Sequence, residues 1–227
     1  MGKDNQPKIR QAAQMARKTG RRASYDRILI VSEGSKTEPH YLNEIRAKHR
    51  LSTTNVQVQP SQHGTTPLQV VEYAEHLFVN GDEAKNIQPR AFERVYAVFD
   101  RDDHLNYHNA LKKAAARDKK LFSDLGEAVR FEAVASVPCF ELWLLLHFED
   151  VLAPLRRTEV YQRLRQFLPD YDKGQAGHYA ETRQYLNAAT ERAVFLATQF
   201  NAHHGTDPYT DIHSLVTRLT TLKHSAE

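Results

Sequence analysis

The chain of 227 residues has a single cysteine, Cys139. That excludes an internal disulfide framework and any zinc site built from cysteines alone. No apolar run approaches the roughly 20 residues a membrane helix needs. The N-terminal segment also lacks the apolar core of a secretion signal. No membrane association and a cytoplasmic location are therefore expected. Internal repeats and low-complexity blocks are absent too. What is present is an ordinary globular composition, 41% hydrophobic and 26% charged, in a chain long enough for one large domain or a domain with a helical extension.

The net charge of +3 hides an asymmetry. Residues 1–27 hold eight lysines and arginines against Asp4 and Asp26, about +6, so the remainder is about −3. The excess is a tail rather than a face of the fold. It suits a polyanion partner as well as it suits a solvated terminus. Aromatic residues do not interleave it, so it is no stacking platform for single strands.

Hydrophobic patterning predicts an α/β fold. Ile28–Val31 and Val95–Phe99 are continuous apolar runs of strand length, as in strands buried on both faces. Val56–Gln59 and Phe131–Ala135 are further strand candidates. Helical periodicity follows most of them. One helix is expected to open at Pro39 and another to span Cys139–Phe148 after Pro138. Strands alternating with helices imply right-handed crossovers and a mainly parallel sheet. Beyond about Asp150 the apolar positions follow helical spacing only. The expected organisation is a basic tail over 1–24, an α/β domain over 25–150, and a helical region over 151–227 packed on the same domain.

Two acidic signatures follow two of these strands directly: Glu33, succeeded by Gly34, and Asp100 with Asp102. Ligands bind parallel sheets at the carboxyl ends of strands. Adjacent strands would bring these carboxylates together, where like charges raise one another's pKa. A hard divalent cation, Mg²⁺ or Mn²⁺, resolves that conflict. An extended Asp100-x-Asp102 would point both side chains the same way. Gly34 would let the backbone turn and a phosphate approach.

With those residues stand Arg27-Ile-Leu-Ile-Val-Ser-Glu-Gly-Ser-Lys-Thr-Glu-Pro39, Val98-Phe-Asp-Arg-Asp-Asp-His104, Pro138-Cys-Phe-Glu-Leu-Trp-Leu-Leu-Leu-His-Phe148, Leu168-Pro-Asp-Tyr-Asp-Lys-Gly174 and Asp207-Pro-Tyr-Thr-Asp-Ile-His213. In this order they resemble the RloB family, from about Arg27 to the C-terminus. The chain departs from the family pattern at Ser32, Val137 and Asp207. The resemblance implies a Toprim-like domain from bacterial restriction and phage-defence loci. It also implies a nucleic-acid substrate and a partner protein such as an ATPase. Glu33 would then act as general acid or base or join the metal site, and Asp100 and Asp102 would hold Mg²⁺.

Other side chains are weighed on chemistry. Glu141 lies in an apolar helix and needs a partner or a metal if buried, which makes it a second catalytic candidate; His147 reads as structural. Lys36 and Lys173 suit phosphate oxygens. Asp211 and His213 would complete the site if the last helix returned to the sheet. Glu38 suits either a helix cap or a member of the acidic site, with capping the preferred reading. Gly34-Ser-Lys-Thr37 lacks the first glycine of a phosphate loop, where Leu29 stands, which excludes a Walker NTPase. A receiver domain needs an acidic pair after its first strand, and only Glu33 is there. The expected activity is Mg²⁺-dependent phosphodiester cleavage of RNA, tRNA included, or of DNA. The rival is a module that binds nucleotide or nucleic acid without cutting it.

Overall fold

The computed structural model describes residues 25–102, 104–203 and 208–222. The basic tail expected over 1–24 lies outside them. The apolar run after Arg27 forms β1 (Ile28–Ser32), all five residues of which are buried. Its side chains alternate between two separate cores. Ile28 and Ile30 join one cluster, while Leu29 and Val31 join the other. A strand covered on both sides cannot alternate apolar and polar residues, which is why the run is continuous.

The remaining strands are β2 (Val56–Pro60), β3 (Arg94–Asp100), β4 (Arg130–Val137) and β5 (Tyr209–Thr210), in the spatial order β2-β1-β3-β4-β5. The first four are parallel; β5 runs antiparallel to the end of β4. Helices α1 (Thr37–Lys48), α4 (Glu141–Leu145), α5 (Arg157–Phe167), α7 (Leu186–Gln199) and α8 (Ile212–Thr221) supply the first core. Helices α2 (Pro67–Asn80) and α3 (Tyr107–Arg117) supply the second. The short α6 (His178–Thr182) packs beside α1. The protein is thus an α/β, Rossmann-like fold with helices on both faces. Residues after 150 share the first core with the sheet. Among the described residues no helix is long and apolar enough to cross a membrane.

Three local expectations change. Helix α1 begins at Thr37, two residues before Pro39. Proline is tolerated there because the first four N–H groups of a helix have no intrahelical acceptor. The helix expected over Cys139–Phe148 is only Glu141–Leu145. It is nonetheless fixed firmly: Trp143 is fully buried and its Nε1–H donates to Tyr41 Oη on α1 at 2.8 Å. Finally, β5 adds a strand to the half of the chain read as helical. Its Thr210 hydroxyl lies 2.9 Å from that of Ser136 on β4.

The strand order places a switch point. From β1 the chain moves outward to β2, then crosses back to β3 on the other side of β1. Connections leave in opposite directions there, opening a crevice at the carboxyl ends of β1 and β3.

Candidate functional site

Both acidic signatures flank that crevice. Glu33 continues the β1–β3 ladder, its N–H donating to Val98 O at 2.8 Å. Its side chain then reaches across, and Oε2 accepts the Asp100 N–H at 3.0 Å. The two segments therefore converge as the sequence predicts. Asp100 is the last residue of β3, paired with Ser136 of β4, and only 5% exposed.

Asp102 departs from the extended geometry expected of it. Its φ is 37°, in the left-handed region, where a short polar side chain is better tolerated than most. The two aspartates still meet, through a shared partner. Arg157, the first residue of α5, reaches Asp100 Oδ2 with Nη2 and Asp102 Oδ2 with Nη1, each at 2.8 Å. One ligand atom each from Glu33, Asp102 and His104 lies within 4.8 Å of the others. One cation could touch all three.

Below this group lie two further carboxylates. Glu141 is 1% exposed; Tyr171 Oη donates to its Oε1 at 2.9 Å, and its Oε2 is buried without a hydrogen-bond partner. Glu38, read from sequence as a cap, is buried in the first turn of α1, and its Oε2 also lacks a partner. Gly34 makes room for it. A Cβ at Gly34 would stand 2.0 Å from Glu38 Oε2, so the space above this glycine belongs to a carboxylate of the protein itself. Gly34→Ala is expected to cost about 1–3 kcal/mol, the usual range for overpacking, measured by urea unfolding. Wild-type stability in that variant would mean that Glu38 moves aside freely.

Electrostatics follow from this crowding. Burial pushes the Asp100 carboxyl well above its ordinary range, helped by Glu38, Glu141 and Glu33 and opposed by Arg157. Burial likewise raises Glu33 to about 7; Asp102 and Glu38 add to the rise, while the Asp100 N–H and Arg157 oppose it. Glu38 is raised by burial and by Glu141, against Lys173 and Arg157. Buried carboxylates thus outnumber the cations facing them. The donor set is hard oxygen plus one imidazole, with two orphaned buried oxygens nearby, and it could hold a divalent cation.

A family match covers this whole arrangement. Residues 28–219 match the model described as RloB-like protein. The chain belongs to that family. The RloB-like region starts at the first residue of β1 and ends within α8, so it contains the sheet and every site residue named above. No curated protein and no solved structure matches the chain.

Other sequence candidates of this RloB-like chain fall in different places. Lys173 lies near enough to Glu38 to lower its pKa. Lys36 is exposed, and its stem packs against Gly174, where a Cβ would stand 3.0 Å from Lys36 Cδ. The two lysines therefore flank one side of the crevice. Asp211 and His213 are not brought into it. Because β5 runs antiparallel, the chain beyond Thr210 heads back along β4, and Asp211 N–H donates to Ala135 O at 3.0 Å. Asp211 lines a different cavity, of about 410 Å³, with Tyr96, Glu132 and Tyr209. His213 Nδ1 lies 2.9 Å from Thr210 O. His147 lies in the core: Nδ1 is 2.9 Å from Trp143 O, Nε2 is buried without a hydrogen-bond partner, and burial lowers its pKa to about 4.

Sequence reasoning missed Arg157, His104 and Tyr171. His104 stands two residues after Asp102, a spacing that could have nominated it. Tyr171 lies within Leu168–Gly174, where attention went to Lys173. Nothing in the sequence ties Arg157 to Asp100, 57 positions earlier.

Proposed function

We propose that this RloB-like protein is a Mg²⁺-dependent, Toprim-type enzyme that cleaves phosphodiester bonds of RNA or DNA. We place it in the cytoplasm, in antiphage defence beside a partner protein such as an ATPase, as the family resemblance implies. One observation carries the enzymatic reading. A carboxyl group raised to about 7, Glu33, stands within 4.8 Å of two further ligand groups at the switch point of a parallel sheet. In this reading Glu33, Asp102 and His104 hold the ion with Asp100 beside them. The ion, when bound, neutralises non-bridging phosphate oxygens.

The protein's own groups supply the rest. Where Asp102 and His104 hold the ion and Glu33 stays free of it, its carboxyl, raised to about 7, suits activation of water or protonation of a departing oxygen. Its hydrogen bond from the Asp100 N–H fixes the orientation of that carboxyl. Glu141, held by Tyr171, and Glu38 add carboxyl oxygens beside the site. In this reading Lys36 and Lys173 steer the phosphate backbone toward the crevice.

A second reading has an observation of its own. Arg157 pairs with both aspartates, which supports a module that binds nucleic acid without cutting it. Incubating the protein with pooled RNA and DNA, with Mg²⁺ or Mn²⁺, separates the two. Cleavage that stops in Asp102→Asn is expected. Strand binding with no cleavage under any ion would leave the binding module standing and remove the enzyme.

A further inference from the structure

A cleft of about 740 Å³ opens beside Asp102, outside the carboxylate group itself. Its walls come from three places: the Arg101–Asp102 turn after β3, Val137–Pro138 after β4, and residues 154–159 entering α5. It combines two chemistries. Arg101, Arg156 and Arg157 contribute guanidinium groups, while Val137, Pro138 and Leu155 contribute apolar surface.

The acids of the cleft are already engaged. Asp102 is paired with Arg157. Glu159 Oε2 accepts the backbone N–H of Arg156 at 2.7 Å and so caps the start of α5. The cations are less fully used. Arg101 lies over the Tyr107 ring at 5.7 Å, yet its Nη1 is buried without a hydrogen-bond partner. Arg157 Nε is also buried without one. Arg156 is exposed at the rim. A bare anion would have no use for the apolar walls, and an apolar ligand would have none for the guanidinium groups. A nucleotide needs both. Its phosphate pairs with arginine, and its sugar and base lie against proline, leucine and the guanidinium plane. The volume is within the range of pockets that enclose such ligands. A recess, unlike a flat face, admits an unpaired strand more readily than a duplex.

We infer that this cleft seats the nucleotide flanking the reacting phosphodiester of a single-stranded nucleic acid, with Arg156 and Arg101 on its phosphate. The inference rests on the reading of the neighbouring carboxylates as the reacting centre. Binding is therefore measured without metal, so that the two can fail separately. The full chain in EDTA is titrated into fluorescein-labelled 12-mers of single-stranded RNA, single-stranded DNA and a duplex of the same sequence, followed by anisotropy. Arg156→Glu is expected to weaken single-strand binding at least tenfold and to reduce its salt slope by about 0.7. Arg165→Glu makes the same charge change within α5, away from the cleft, and is expected to weaken binding less than threefold. A stronger response to RNA or to DNA would identify which strand is seated. Equal losses in the two variants, duplex binding as tight as single-strand binding, or no binding by the wild type would each overturn the inference. Absence of cleavage when Mg²⁺ or Mn²⁺ is added, with these binding results intact, would count against the proposed function alone.

Discussion

Replacing Glu33 by glutamine is expected to lower metal-dependent strand cleavage by about 10²- to 10⁴-fold, the range of a positioned proton-transfer group. Glutamine retains an oxygen that can accept the Asp100 N–H, so the side chain stays in place while its ionisation is lost. That separates chemistry from folding. A second measurement uses the titration. Burial raises the Glu33 carboxyl to about 7, well above an unfolded value near 4.5. The folded state therefore binds the proton more tightly, and the stability due to this group is full below about pH 4.5. It is lost as pH rises through about 7. Glutamine cannot titrate, so in EDTA the melting temperature of Glu33→Gln should gain on wild type between pH 5 and pH 8, by several degrees. A difference that stays flat over that interval would place Glu33 in water rather than in the crevice.

Removing Arg157 should have the largest effect on stability. Its guanidinium is the cation that pairs directly with both Asp100, 7% exposed at the side chain, and Asp102. Losing one partner of a buried pair strands a charge, at a cost of about 3–5 kcal/mol. The Arg157 side chain is 33% exposed, which puts Arg157→Gln near the lower end, about 3 kcal/mol in EDTA. The loss should shrink toward acid, where Asp100 takes up a proton instead. Mn²⁺ should restore much of it, because the variant leaves the carboxylates without a competing cation. Titration calorimetry is then expected to show tighter Mn²⁺ binding in Arg157→Gln than in wild type. Equal affinity, or a stability loss that Mn²⁺ does not reduce, would mean that ion and guanidinium do not share a position.

The parts of this protein that sequence revealed are those with a periodic or contiguous signature. β1 and β3 were legible because strands covered on both faces are unbroken apolar runs. Glu33 and Asp100 were legible because they end those runs. Arg157 was not, since a tertiary ion pair has no spacing to betray it. β5 was missed because a two-residue strand cannot display alternation. The early start of α1 was hidden by Pro39, which is compatible with a helix only in its first turn. Glu38 was read as a cap first and a site member second for a related reason. Seen along the chain it is a first-turn acid like many others; its burial, its unpartnered Oε2 and the missing Cβ of Gly34 show that its carboxylate turns inward.

The order in which the crevice is assembled bears on how the chain is made. Glu33, Asp100 and Asp102 leave the ribosome well before Arg157 and Tyr171, which pair with Asp100, Asp102 and Glu141. A nascent chain halted after β4 would carry its acids without these escorts. Completing the segment beyond 150 is the step that brings Asp100 and Asp102 their counter-charge and Glu141 its hydroxyl donor.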